Sequence, residues 1–245
     1  MKMCIIEENI LLVKKPFGIS SFDVIRLLRN RLKIKKIGHA GTLDPMAEGL
    51  LIIGIGAGTK KLGSFLKLPK TYEATVILGK STDTGDITGK ILEERTAADV
   101  SGEKIEKAVL SLRGKLLLPV PAYSAVKISG KRLYALARAG EKVVPPVREM
   151  EIKEISLKSW RQAGGCFEAD VTLRVSSGTY IRSIAVELGK RLGVPATLKK
   201  LTRTSIGDYS LKDAAEVGEL SAFDFTSATE RKPTSVPKII PPKIS

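Results

Sequence analysis

The residues best suited to chemistry lie in the segment Gly-His-Ala-Gly-Thr-Leu-Asp-Pro at positions 38–45. Gly38 and Gly41 allow the backbone to take positive φ values or to pass close to a ligand. Pro45 keeps Asp44 out of the helical region. A carboxylate held in this way loses little side-chain freedom on binding, so Asp44 is a candidate catalytic group. Taken locally, however, the sequence favours an ordinary turn closed by this aspartate, because Asp-Pro is a common turn pair.

A second candidate is Arg182, which falls in the first turn of a helix predicted to begin near Thr179. The helix dipole disfavours a cation there by roughly a few tenths of a kcal/mol. A partner would offset this cost, and it would be a carboxylate or an RNA phosphate. Asp44 is one such partner. The alternative is a surface arginine that extends into solvent and needs no partner.

Other kinds of site are poorly supported. His39 is the only histidine, and Cys4 and Cys166 lie far apart, whereas a zinc site needs three or four nitrogen or sulfur ligands. No Gly-x-Ser-x-Gly nucleophile motif is present. Asp83 and Asp86 could bind a metal, but Asp-Thr-Gly-Asp is more simply a turn.

A glycine-rich segment at positions 54–60, Gly-Ile-Gly-Ala-Gly-Thr-Lys, follows a predicted strand. Such a segment can hold a phosphate at a helix N-terminus. It lacks the spacing of a P-loop or of a dinucleotide-binding motif. Close packing of a strand on a helix is therefore the favoured explanation.

The elements that position these residues follow from apolar periodicity. Strands are predicted at residues 10–13, 50–55, 71–78, 152–158 and 167–175, the last two paired, and a turn at 82–89. Helices are predicted after Ser20 and at 101–111, 131–139 and 179–192. This irregular alternation favours an α+β fold, with a mixed, largely antiparallel sheet and helices packed around it. Residues 226–245 are predicted to be a disordered basic tail, which leaves residues 1–225 as one domain.

The composition points to a polyanionic partner. Lys and Arg total 41 against 26 Asp and Glu, a net charge of +15 in 245 residues. A field of this sign attracts phosphates, although a basic surface without a partner is the alternative. Aromatic residues are only 5% of the chain, which argues against a base-stacking platform for single strands.

Targeting signals are not evident in the sequence. Glu7 and Glu8 interrupt any signal-peptide pattern, and no apolar run approaches the roughly 18 residues of a membrane span. We therefore expect a cytoplasmic protein with no membrane association.

Seven motifs occur in one order along the chain. They are Lys15-Pro16-x-Gly18-x-Ser20-Ser21, the segment 38–45, Lys70-Thr71-Tyr72, Thr82-Asp83-Thr84-x-Asp86-x-x-Gly89, Pro121-Ala122-Tyr123-Ser124-Ala125-Val126-Lys127, Ser177-Gly178-Thr179-Tyr180-Ile181-Arg182 and Leu201-x-Arg203-Thr204-x-x-Gly207. Together they resemble the TruB family of tRNA pseudouridine synthases from about residue 10 to about residue 212.

The resemblance implies an enzyme that isomerises uridine 55 in the T loop of tRNA to pseudouridine, without a cofactor or metal. Residues 1–225 would be its catalytic domain. Asp44 matches the essential aspartate of the family, acting as a nucleophile or as a base on the sugar. Tyr72 matches a tyrosine that stacks on the uracil and assists the final proton removal. Arg182 matches the arginine that pairs with the aspartate.

The resemblance also implies residues that contact RNA. Leu201 would line the uracil site, and His39 would fill the space left when the base is extruded, offsetting part of the unstacking cost. The remaining expected substrate or RNA contacts are Tyr180, Lys15, Lys127 and Arg203. The implied partner is the T arm of tRNA, bound by a monomer.

One departure from the family affects RNA binding. Members commonly carry a further C-terminal RNA-binding domain, and this sequence ends in a short tail instead. We therefore expect affinity to rest on the catalytic domain, including the basic regions 26–36, 127–138 and 190–203. Two alternatives stay open: a non-catalytic tRNA-binding or tRNA-folding protein, and a synthase of the same fold that acts on another RNA.

Overall fold

A computed structural model describes residues 5–7, 9–97, 99–141 and 143–219, so the predicted tail lies outside the described residues. The helices are α1 (Ser21–Leu32), α2 (Leu62–Lys67), α3 (Gly102–Ser111), α4 (Leu133–Arg138) and α5 (Ile181–Leu192). The strands are β1 (Ile5–Glu7), β2 (Ile10–Lys15), β3 (Ile37–Ala40), β4 (Glu48–Ile55), β5 (Lys70–Leu78), β6 (Lys80–Thr82), β7 (Ile91–Glu94), β8 (Gly114–Pro119), β9 (Lys127–Ile128), β10 (Lys131–Arg132), β11 (Val147–Ala163), β12 (Cys166–Val175), β13 (Ala196–Ile206), β14 (Tyr209–Ser210) and β15 (Ala215–Glu216). In this part of the chain no helix has both the length and the apolar character to cross a membrane.

One large sheet organises the chain, in the order β1-β2-β4-β13-β5-β12-β11-β8. Neighbouring strands in this order are antiparallel except for β4 and β13, which are parallel. Outside this order, the short strand β15 also pairs in parallel with β2. Helices α1 and α5 pack on it through apolar faces. The predicted α+β fold with a mixed, largely antiparallel sheet is confirmed.

The two halves of the sheet meet where β4 joins β13. Only two residue pairs form this parallel junction, Thr202 with Glu48 and Arg203 with Gly49. Gly49 has φ 109°, and a β-carbon there would lie 2.4 Å from the Arg203 carbonyl oxygen, so only glycine fits. The junction brings the chain that enters β4 next to the central strands.

Helix α1 forms as its sequence predicts. Ser20 and Asp23 make a reciprocal capping box at its N-terminus. The buried face carries Val24, Ile25 and Leu28, which pack in an apolar cluster with β2 and β4. The first helical residue, Ser21, is turned inward and is available to a neighbouring loop.

Helix α5 buries Ile181, Ile184 and Leu188 against the sheet and ends at Gly193, which has φ 69°. It begins at Ile181 rather than near Thr179. Arg182 is therefore the second residue of the helix, and its predicted place in the first turn is confirmed.

Three differences from the predicted elements have clear causes. Strand β13 was not predicted, because Lys199, Lys200 and Arg203 interrupt its apolar alternation and two bulges shift its register. Strand β11 is far longer than 152–158, because its first part pairs with β8 and its second part with β12. Helix α4 is shorter than 131–139, because residues 131–132 pair with β9.

The glycine-rich segment 54–60 serves packing. Residues 56–61 form a short 3-10 helix after β4. A β-carbon on Gly58 would lie 2.3 Å from the Asn9 carbonyl oxygen. A β-carbon on Gly54 would lie 2.9 Å from the Gly58 carbonyl oxygen, so close packing is confirmed for Gly54 and Gly58, whereas Gly56 has no atom that close.

Candidate active site

Asp44 lies in the loop of residues 41–47 between β3 and β4, called here the Asp44 loop. The hydroxyl of Ser21 accepts a hydrogen bond from the Leu43 amide at 2.8 Å. The Gly18 amide donates to the Pro45 carbonyl at 2.8 Å. The loop is thus fixed on both sides of Asp44 by the turn before α1 and by the first residue of that helix.

The carboxylate of Asp44 faces Arg182. The distance between Asp44 Oδ2 and Arg182 Nε is 2.8 Å, and the two side chains are 36% and 5% exposed. The sequence favoured a turn closed by the Asp44 side chain. A turn does form here, but it is closed by the backbone, because the Ala47 amide donates to the Asp44 carbonyl at 3.0 Å. The carboxylate is therefore left partly open to solvent and paired with a buried cation.

Each nitrogen of the Arg182 guanidinium has a partner. Nη1 donates to the Thr84 carbonyl at 2.9 Å, and Nη2 donates to the Tyr123 carbonyl at 3.0 Å. A second carboxylate, that of Asp86, has Oδ2 3.8 Å from Nε. Arg182 is buried and partnered, so the alternative of a solvent-extended arginine is wrong.

Asp86 lies at this site, although its sequence favoured a turn and gave it no place beside Arg182. The predicted turn at 82–89 does form, with the Lys90 amide donating to Asp83 Oδ1 at 2.8 Å. Asp86, however, is buried, and it accepts hydrogen bonds from the Thr84 hydroxyl at 2.9 Å and the Thr88 amide at 3.0 Å. Its signal in the sequence was its place in one of the seven ordered motifs.

Tyr72 and Leu201 lie on central strands of the large sheet. Tyr72 is on β5 and Leu201 on the neighbouring β13, and both are buried. They belong to one apolar cluster that also contains Leu43 and Ile181, the chain neighbours of Asp44 and Arg182. The shared cluster links Tyr72 and Leu201 to the chain neighbours of the ion pair; their contacts with a uracil stay predictions.

Replacing Tyr72 tests its predicted role in proton removal. We expect Tyr72→Phe to lower kcat by about 100-fold, as loss of a positioned proton acceptor does, while KM changes less than about threefold because the ring is retained. Steady-state kinetics on a tRNA transcript measures both. Tyr209→Phe, which removes a hydroxyl from β14, is the matched control. An unchanged kcat in Tyr72→Phe would remove the phenol from the chemistry.

Lys15 and Arg203 occupy different positions from those expected of RNA contacts. Both are fully buried. Lys15 Nζ donates to the Ala47 carbonyl at 2.6 Å, and Arg203 Nη2 donates to the Gly41 carbonyl at 2.9 Å. In this structure both side chains support the Asp44 loop and neither is exposed, and their predicted RNA contacts stay predictions.

Burial lowers the pKa of several cations around the loop. It brings the pKa of Lys15 to about 8, against an opposing pull from Asp44. Burial first, and Arg203 second, bring the pKa of Lys70 to about 8. The same two causes lower the pKa of His39, which favours the neutral imidazole at physiological pH.

The lowered pKa of Lys70 predicts how stability depends on pH. Its folded value of about 8 lies below the ordinary 10.5, so the unfolded chain binds the proton more tightly. The free energy of unfolding should therefore rise between pH 8 and 10.5, by about 1–3 kcal/mol from this lysine. Urea unfolding across that range should show a smaller rise in Lys70→Met, whereas Lys107→Met on α3 should match the wild type. Equal slopes in wild type and Lys70→Met would contradict the prediction.

The remaining predicted contacts lie on three elements. His39 is on β3, and among the described residues its buried Nδ1 has no hydrogen-bond partner. Tyr180 is the residue before α5, makes no side-chain capping bond to it and is half-buried. Lys127 is exposed on β9. These positions leave the predicted roles of the three side chains as expectations.

Comparison with known proteins places the chain in one family of pseudouridine synthases. Residues 29–181 match the profile described as "TruB family pseudouridylate synthase (N terminal domain)". A "tRNA pseudouridine synthase B" of Oceanobacillus iheyensis is 45% identical over 207 residues, covering 84% of this chain and 68% of that protein. One of Leifsonia xyli is 42% identical over 232 residues, covering 93% of this chain and 77% of the relative.

Solved structures share the fold at lower identity. A chain of a Cbf5-Nop10-Gar1 complex superposes with a TM-score of 0.66 at 23% identity, over 91% of this chain. A chain of an H/ACA RNP bound to a substrate RNA containing 2'-deoxyuridine gives 0.64 at 20% identity, also over 91% of this chain. The matches span 56% and 55% of those chains.

Proposed function

The chain belongs to the TruB family of pseudouridylate synthases, and we propose that it isomerises uridine 55 in the T loop of tRNA to pseudouridine. The relatives at 40–45% identity are tRNA pseudouridine synthases. The tRNA, the T loop and the individual roles of the site residues are part of the proposal.

The observation that carries the proposal is the pair of Asp44 and Arg182, 2.8 Å apart. A buried arginine that also donates to two carbonyls fixes the direction in which the carboxylate points. A protein that only binds RNA has no chemical need for so costly an arrangement of desolvated charges.

The chemistry balances within the nucleoside. The bond between N1 of uracil and C1' of the ribose breaks, the base turns, and a bond forms between C5 and C1'. The proton of C5 is then lost and N1 gains one. Because the product is an isomer of the substrate, the balance requires no cofactor. Asp44 would attack the sugar or remove a proton from it, and Tyr72 would assist at C5.

The target base must leave its stack before it can reach Asp44. Extrusion of a base costs roughly a few kcal/mol, which an inserted side chain partly offsets. We assign this insertion to His39, whose lowered pKa favours a neutral ring that stacks without a charge to desolvate.

One copy of the chain holds Asp44, Tyr72 and Arg182, so the proposal requires no second subunit and we expect a monomer. A tRNA substrate would place the reaction in the cytoplasm. Lys127 is exposed, and the proposal includes its predicted contact with RNA.

Release of tritium from a tRNA transcript labelled at C5 of uridine tests the function, because forming the new glycosidic bond frees that atom. We expect release from a full transcript and none from one with cytidine at position 55. Binding without release would support the non-catalytic alternative. Release from the cytidine transcript would show that another uridine is the target.

A further inference from the structure

A strongly basic surface covers α1 and the segment after it. It comprises Arg26, Arg29, Arg31, Lys33, Lys35 and Lys36, named here the α1 basic face. Five of the six are exposed, and Arg29 is half-buried. Between residues 22 and 36 the only acid is Asp23. Six cations and one acid give residues 22–36 a net charge of +5, a third of the +15 of the whole chain.

The cations of this face lack local counter-charges. Arg26 pairs with Asp23, but among the described residues no carboxylate lies within 4.0 Å of the other five. Elsewhere on the surface, basic residues such as Lys14, Lys80 and Lys115 have acidic partners. Neighbouring like charges without partners repel one another, and a polyanion relieves that repulsion.

Aromatic rings accompany the cations. Phe22 is 57% exposed, and the guanidinium of Arg29 lies 5.7 Å from its ring centroid. Arg29 Nη2 also donates to the Ile37 carbonyl at 3.1 Å, so this guanidinium is fixed in place before any ligand binds. Phe17, in the turn before α1, is exposed as well. Exposed rings next to arginine suit the sugars and unpaired bases of RNA.

The α1 basic face is physically continuous with the candidate active site. Ser21 at the start of α1 holds Leu43, and Gly18 holds Pro45, the two neighbours of Asp44. From this point the twelve residues of α1 extend over about 18 Å. An RNA strand that places a nucleotide at Asp44 would have its adjoining phosphates within reach of this stripe.

We propose that the α1 basic face binds the sugar–phosphate backbone of the RNA strand that flanks the target uridine. The identity of that RNA as the T arm of tRNA rests on the proposed function. The contacts are charge-based, so they set affinity and the position of the RNA without selecting its sequence. They act in binding and not in the chemical step.

The test removes three exposed cations from the face, in the variant Arg31→Gln/Lys35→Gln/Lys36→Gln. The matched control removes three exposed lysines from α3 and β11, in Lys104→Gln/Lys107→Gln/Lys158→Gln. Binding of an isolated T-arm hairpin is measured between about 50 and 300 mM NaCl, with steady-state kinetics on a tRNA transcript. We expect the slope of log affinity against log salt to become shallower by about 2 to 3, and KM to rise by about tenfold with kcat within twofold. The control triple should match the wild type.

The outcomes separate this inference from the proposed function. If the face variant and the control triple give the same salt slope and KM, the inference is wrong, whatever the activity. If the slope falls as expected but wild type makes no pseudouridine, the face binds RNA and the proposed function fails. Arg31→Gln alone should lower the slope by about 0.7 to 0.9, which keeps the test open if the triple variant unfolds.

Discussion

Asp44→Asn should abolish pseudouridine formation while leaving the fold and RNA binding almost intact. The amide has the size of the carboxylate, so the Asp44 loop keeps its anchors at Ser21 and Gly18. It cannot serve as a nucleophile or as a base. We expect kcat to fall by at least about 10³-fold, with the dissociation constant for tRNA changed by less than about threefold.

The stability of Asp44→Asn separates chemistry from structure. Because Asp44 is 36% exposed and Arg182 keeps Asp86 and two carbonyls as partners, we expect the free energy of unfolding to change by about 1 kcal/mol or less. Urea unfolding and single-turnover assays measure the two effects. A variant that retains a tenth of wild-type kcat would exclude Asp44 as the reacting group.

Arg182→Met should cost both activity and stability. The variant leaves Asp44 without its fixed partner and leaves Asp86 buried without a nearby cation. Breaking a buried ion pair from one side destabilises a protein by about 3–5 kcal/mol. Loss of a precisely aimed carboxylate should lower kcat by a further 100-fold or more, counted as about 3 kcal/mol of transition-state stabilisation.

Two variants separate these effects of Arg182. Arg182→Met/Asp86→Asn removes the stranded charge, so it should recover part of the lost stability without recovering activity. Arg191→Met, on the same helix, breaks the partly exposed pair with Glu187 and should cost less than about 1 kcal/mol with normal kcat. Full activity in Arg182→Met would show that Asp44 does not depend on this guanidinium.

The features that the sequence predicted well are local ones. Helices α1 and α5 follow from apolar periodicity and from Ser20 and Gly193 at their ends, signals that do not depend on the rest of the chain. The place of Arg182 in the first turn was also local, and it predicted a charged partner. That the partner is Asp44 was supported by the ordered motifs and required the fold to confirm it.

The features that the sequence did not predict depend on long-range packing. Arg203 on β13 belongs to a charged pattern typical of a surface, yet the parallel junction with β4 turns its side chain inward to the Gly41 carbonyl. Lys15 points to the same loop because it ends β2 opposite Gly49, where the antiparallel pairing with β4 places it next to residues 45–47. Asp86 has the sequence of a turn, and only the position of α5 makes it face a buried arginine. The apolar periodicity of a sequence does not specify which strands pair or in what register, so it could not predict where these side chains point.

The catalytic role of Asp44 is tested most directly by treating unmodified tRNA with the wild type and with Asp44→Asn and mapping pseudouridine by carbodiimide-dependent reverse-transcription stops. The pair of Asp44 and Arg182 predicts a stop at uridine 55 with the wild type and none with the variant. A stop at that uridine with both proteins, or with neither, would contradict the assignment of Asp44 as the catalytic residue of this site.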